Sequence, residues 1–274
     1  VTTMYSDADT PMGDGVVRPI LWTNGSPRLL PGLGKLLTAS AVNAGGTVAG
    51  VARAPEGENS TVVRYVDGEL EKLDAPPGIW SYRDAALNAD GDVVASAFPG
   101  SGSTRAEVVL LWKAGSRTAT RLPLPPGADA TALTDDGRIL GNLPSATQPG
   151  LTIPYIWDQQ GRGRELAVPD GTYAYVHTTR GTWAAGNLVP SGAAVRWDLT
   201  SGDVKELPVD SPVRAVNAAG WVAVGGTIVR DDANVDLQPR DGIRPDPIGV
   251  TDGGLVYAKP SDGGPGIFMY LCTG

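Results

Sequence analysis

The sequence predicts an all-β fold, a β-propeller built from four-stranded antiparallel blades, on three observations. A hairpin cassette recurs six times, a second hairpin with an aromatic-ended strand and a Leu-then-Pro strand follows most copies, and Gly and Pro punctuate the chain too densely for helices. The cassette is a small-residue segment, then Asn or Thr, two residues, Gly, and a Val/Ile-rich segment. It runs Ala41-Val-Asn43-Ala-Gly-Gly46, Ala86-Leu-Asn88-Ala-Asp-Gly91, Ala132-Leu-Thr134-Asp-Asp-Gly137, Val176-His-Thr178-Thr-Arg-Gly181, Ala215-Val-Asn217-Ala-Ala-Gly220 and Gly249-Val-Thr251-Asp-Gly-Gly254. The Asn/Thr positions lie 45, 46, 44, 39 and 34 residues apart.

Each cassette reads as a tight hairpin. An Asn or Thr side chain hydrogen-bonds the backbone just ahead of it, and a Gly three positions on takes the positive φ that closes the turn. The flanking Val-rich segments suit a pleated, half-buried surface. The second hairpin opens with a strand ending in Leu21-Trp22, Arg64-Tyr65, Leu111-Trp112, Ile156-Trp157, Arg196-Trp197 or Met269-Tyr270, with Val229-Arg230 in the shortest copy. Its closing strand carries Leu30-Pro31, Leu73-Asp-Ala-Pro76, Leu122-Pro123, Leu166-Ala-Val-Pro169, Leu207-Pro208 or Leu237-Gln-Pro239. No run free of Gly and Pro exceeds 12 residues, and none carries a helical apolar stripe.

A four-stranded sheet cannot bury both faces alone, so the copies must stack around an axis as one domain spanning residues 1–274. The N-terminus supplies third and fourth strands without a clear first hairpin, and the C-terminus a first hairpin without a closing strand. Pairing of these halves closes a ring of six blades; seven is the alternative, with the irregular segment 1–15 supplying the missing hairpin. The repeated Trp22, Trp112, Trp157 and Trp197 read as packing between blades.

Composition narrows the function. Lys and Arg number 22 against 30 Asp and Glu, a net charge of −8 that disfavours nucleic acid and anionic membrane surfaces. One cysteine, Cys272, leaves no intrachain disulfide, and one histidine, His177, argues against His-based zinc sites and Ser-His-Asp triads. No apolar run of about 18 residues implies membrane insertion. The opening Val1-Thr2-Thr3, without a basic-apolar leader, fits a mature secreted protein or an excised domain. No cofactor is expected, because no Gly-rich loop joins a strand to a helix. No metal is expected either: the acidic turns at Asp7/Asp9, Asp90/Asp92, Asp135/Asp136 and Asp231/Asp232 lack a complete calcium loop. A monomer is expected.

The cassette resembles the bacterial extracellular propeller repeats called the HAF family, in which Ile/Val-Asn-x-x-Gly-x-Val-x-Gly precedes an aliphatic-Trp strand. The match is good from Ala41 through Gly50 and at Ala215-Val216-Asn217, and the likeness extends from about Val16 to Tyr270. The family's His-Ala-Phe segment ahead of the Trp is absent: Val-Leu-Leu-Trp112, Pro-Tyr-Ile-Trp157 and Val-Arg-Trp197 stand there. The resemblance implies a secreted propeller and transfers no catalytic residues.

Candidate site residues lie where the repeats differ. Trp80 and Tyr82 sit off the repeat, on the approach to an inner strand, where they bind at a rim or plug a channel mouth. With them, the inner-strand entrances carry Arg83, Asp84, Asp129, Tyr173, Tyr175, Arg214 and Asp246, charged and phenolic groups suited to charge-assisted hydrogen bonds with a polar ligand. The same groups also suit a ring of salt bridges that satisfies itself. His177 interrupts an apolar column and reads as a buried neutral imidazole or a general base. The leading expectation is a non-enzymatic extracytoplasmic propeller binding a small polar ligand, glycan or protein at this mouth. The alternative is a cofactor-independent hydrolase or lyase using Asp129, Tyr173, Tyr175, His177 and Arg214. A structural or inhibitor module is a third.

Overall fold

The structure, a computed structural model, describes residues 3–5, 19–23, 26–33, 36–53, 59–78, 80–99, 108–231, 233–263 and 267–272. Among these there is no helix. The strands form seven antiparallel sheets, five of four strands and two of three. The first sheet orders β1 (Thr3–Tyr5), β2 (Pro19–Thr23) and β3 (Ser26–Leu29). Then come β4 (Leu36–Val42), β5 (Val48–Arg53), β6 (Thr61–Val66) and β7 (Glu69–Lys72), followed by β8 (Trp80–Leu87), β9 (Val93–Pro99), β10 (Val108–Trp112) and β11 (Thr120–Arg121). The next are β12 (Asp129–Leu133), β13 (Ile139–Pro144), β14 (Thr152–Trp157) and β15 (Gly163–Glu165), then β16 (Tyr173–Arg180), β17 (Trp183–Val189), β18 (Ala194–Asp198) and β19 (Val204–Glu206). The last full sheet is β20 (Val213–Val216), β21 (Val222–Val224), β22 (Thr227–Arg230) and β23 (Ala233–Asp236), and the chain ends with β24 (Pro245–Val250), β25 (Leu255–Pro260) and β26 (Phe268–Leu271).

The four-stranded repeat is as the sequence predicts. The closing pairing of N-terminal with C-terminal strands is not among the described pairings. Thr3, Met4 and Tyr5 pair instead with Leu21, Ile20 and Pro19, so part of the segment expected to be irregular supplies a strand of the first sheet. Two compact units divide the chain: Val1–Ile139 with Trp157–Arg162, and Leu140–Ile156 with Gly163–Gly274.

Within each unit the repeat residues knit neighbouring sheets. Trp112, Trp157, Trp197 and Tyr65 are almost fully buried. The side chain of Trp22 lies outside the described residues. Buried polar tips need partners, and these, with the half-buried Tyr270, find them on the preceding sheet. In the first unit Tyr65 Oη donates to the Pro31 carbonyl (2.7 Å) and Trp112 Nε1 to the Asp74 carbonyl (3.0 Å). In the second unit Trp197 Nε1 donates to the Ala167 carbonyl (2.6 Å) and Tyr270 Oη to the Gln238 carbonyl (2.8 Å). Each acceptor directly follows the repeated leucine of its closing strand, Leu30, Leu73, Leu166 and Leu237, and these leucines are buried.

The cassette Asn closes its own turn and reaches onward. Asn43 Oδ1 accepts from Thr47 N while its Nδ2 donates to the carbonyls of Asn88 and Ala89. Asn217 does the same with Trp221 N and the Thr251 carbonyl. Arg64, nearly inaccessible, pairs with Glu71 at 2.8 Å and donates to the Gly91 carbonyl of the next turn. Arg196 plays that part towards the Gly220 carbonyl.

Candidate ligand-binding site

In the second unit the inner strands lie side by side, β16 against β20 and β20 against β24. Each has a register shift against the strand behind it, between Val176 and Thr178, Val213 and Ala215, and Pro247 and Gly249. A bulge leaves a residue out of the ladder and re-aims its side chain. The residues released are His177, Arg214 and Ile248. Along β16 the alternation buries Ala174 and Val176 and leaves Tyr173, Tyr175 and His177 on the other face. The rings of Tyr175 and His177 stack, centroids 6.4 Å apart and planes 15° apart. Gly186 of β17 makes room for this bulge, since a Cβ there would overlap the Tyr175 carbonyl oxygen.

The electrostatics of this face centre on one acid. Arg214 Nη2 lies 3.8 Å from Asp246 Oδ2, and Lys259 Nζ lies 3.4 Å from the same oxygen. His177 reaches solvent, yet the protein mass around it, and after that the charge of Arg214, hold its pKa below the usual histidine value. Both influences favour the neutral imidazole.

The first unit resolves its entrance differently. β8 releases two residues together, Arg83 and Asp84, between the paired Tyr82 and Ala85. Arg83 lies 3.9 Å from Asp129 Oδ2 and its guanidinium sits 5.1 Å from the Phe98 ring centroid. The Arg83 carbonyl accepts from Arg53 Nη2 at 2.9 Å. Burial raises the pKa of Asp84 against the lowering pull of Arg53 and Arg83. Burial raises Asp129 as well, opposed by a Ser96 hydrogen bond and by Arg83. Two guanidiniums here stand against two carboxylates.

The expected residues thus separate into groups within each unit. Tyr173, Tyr175, His177, Arg214 and Asp246 belong to the second unit; Arg83, Asp84 and Asp129 form a group in the first. Trp80 is half-buried, packed on the β8–β10 core, and donates from Nε1 to the Pro76 carbonyl (3.2 Å), so its ring is folded back on its own approach segment. Tyr82 corrects an expectation. It is 2% exposed, packs edge-on against Trp112, and belongs to the core, with burial pushing its phenol up to about 12. Alternation along β8 turns it inward, away from any ligand.

His177 is a second correction. It is exposed on a bulge, not buried in an apolar column. Arg180 pairs with Trp183, so this hairpin turns on Gly181 and Thr182, and Thr178 lies inside the strand. Aligning the copy on Thr178 displaced its register.

In three described acidic turns one carboxylate is engaged by donors of the protein. Asp92 accepts from Ala114 N and Lys113, Asp136 from Arg138, and Asp231 from Arg230. Asp7, Asp9 and Asp232 lie outside the described residues. Sequence reasoning missed Lys259 and Arg53, and also the side chains that hold the inner strands from behind. Ser96 bonds Ala130 N and O, Asn142 bonds Val176 N and O, and Asn187 accepts from Val213 N while donating to the Ser211 carbonyl. Their signal was a single polar residue in an otherwise apolar second strand.

No family model matches the chain, and a search of curated proteins also finds no match. Solved structures do match. The β-propeller domain of the Trilobed protease from Pyrococcus furiosus, described as having an open velcro topology, is 12% identical, covering 99% of this chain and 91% of its own, with a TM-score of 0.66. A streptogramin B lyase is 14% identical over 92% of this chain and 85% of its own, TM-score 0.58. A putative TolB from Agrobacterium tumefaciens is 16% identical over 89% and 83%, TM-score 0.53. At such identities the likeness speaks for architecture alone: the chain has the β-propeller fold.

Proposed function

We propose that this chain is a non-enzymatic, extracytoplasmic propeller that binds a small polar ligand on the β16–β20–β24 face, through Tyr173, Tyr175, His177, Arg214, Asp246 and Lys259. The observation that carries the reading is the set of three neighbouring bulges, two of which lift unlike polar side chains, His177 and Arg214, out of the ladders of their inner strands. Side chains so placed on rigid strands are preorganised for recognition. The extracytoplasmic setting is supported by the resemblance of the cassette to extracellular bacterial repeats. A thermal-shift screen of polar metabolites and oligosaccharides tests the face. A hit whose shift disappears in the Tyr175→Ala/Arg214→Ala variant supports it, and a hit indifferent to both changes sinks it.

One observation favours a second reading, a lyase or hydrolase. His177 is kept neutral beside a tyrosine and a guanidinium, a state fit for accepting a proton near a carboxylate-bearing substrate. Turnover that survives His177→Ala removes it.

A further inference from the structure

On the face proposed for the second unit, cations outnumber carboxylates. Arg214 and Lys259 approach one oxygen, Asp246 Oδ2, at 3.8 and 3.4 Å. Direct charge-assisted hydrogen bonds run at about 2.7–2.9 Å, so Asp246 does not saturate the donors of either cation. Among the described residues neither head group donates another hydrogen bond. Their side chains are 45% and 55% exposed, open to a partner from solution. Asp170 and Asp210, on the connections into β16 and β20, are exposed and form no ion pair with these cations. In a chain of net charge −8 the general field repels anions. A local surplus of positive charge beside two tyrosines stands out against it.

The geometry points to an anionic ligand group, a carboxylate or a phosphate, held between Arg214 and Lys259 with the rest of the molecule against Tyr175 and His177. This rests on the binding face proposed above and names the ligand class for it. Asp246 then acts as the positioning residue, drawing both cations to one spot while leaving their N–H groups available.

His177 is the single histidine of the chain, so its ring Cε1–H gives one NMR resonance at the face. The protein, in phosphate-free buffer at low salt, is titrated separately with D-glucuronate, inorganic phosphate and D-glucose. A saturable shift with glucuronate or phosphate, and none with glucose, is expected. Arg214→Gln weakens that response about tenfold, and Asp246→Asn strengthens it by roughly threefold. Response to glucuronate alone identifies an organic carboxylate; response to phosphate alone identifies a phosphate. Glucose acting as well as glucuronate, or an anion response unchanged in Arg214→Gln, overturns the anionic assignment and leaves a polar site standing. Silence towards all three overturns it too, while the face itself stands or falls on the metabolite screen and its Tyr175→Ala/Arg214→Ala control.

Discussion

The two units use the same stretch of the repeat, the inner-strand entrance, and reach opposite electrostatic outcomes. In the first, Arg53 and Arg83 meet Asp84 and Asp129, charge against charge, with Arg83 further occupied by the Phe98 ring. In the second, Arg214 and Lys259 share Asp246, and the neighbouring imidazole is neutral. The repeat dictates where a side chain emerges from an inner strand. Its identity then decides whether it closes an ion pair or remains open to a guest.

The comparison requires interiors that are alike, and the largest predicted effect tests that. Trp112→Ala and Trp197→Ala, one in each unit, remove equally buried rings with equivalent indole hydrogen bonds. Each is expected to lower unfolding free energy by ~3–5 kcal/mol in urea titrations. A loss in one unit several times that in the other would break the equivalence. A smaller effect separates core from face. Tyr82→Phe deletes a buried hydroxyl that lacks a hydrogen-bond partner, and stability is expected to hold or rise by about 1 kcal/mol. Tyr175→Phe is expected to change stability by less than about 0.5 kcal/mol while altering ligand response.

The smallest effect is a contrast in pH dependence. Asp84 and Asp129 have folded pKa values raised above 3.8. As pH falls through them the folded chain takes up protons first, so their contribution to stability rises towards acid. His177 has a folded pKa below 6.5. As pH falls through 6.5 the unfolded chain is protonated first, and its contribution declines until the folded imidazole titrates. Thermal midpoints of the parent, Asp129→Asn and His177→Gln, compared from about pH 7.5 down to about pH 4, should show the two substitutions removing trends of opposite sign. Trends of the same sign would erase the distinction between the units.

Much of the architecture was legible because it repeats. Asn43, Asn88 and Asn217, and the aromatic-ended strands with their partner leucines, recur at fixed offsets, and each sits where periodicity and turn chemistry put it. The face was only partly legible. In this copy only two residues separate the paired Arg180 and Trp183, where five separate Val42 from Val48, so Thr178 passed for a turn residue although the strand continues to Arg180. Tyr82 was misjudged for a related reason: position on an approach segment does not reveal which way a strand faces once it pairs. Lys259 was invisible because only cross-strand pairing of β24 with β25 brings it opposite Asp246.

The aromatic strand of one copy carries a donor, and the leucine strand of the same copy carries the carbonyl that the following copy uses. Every duplicated stretch of gene would therefore encode both a plug and a socket. Lengthening or shortening such an array by whole copies leaves its connectors matched, so a chain like this can change its number of sheets in evolution without first inventing a new joint.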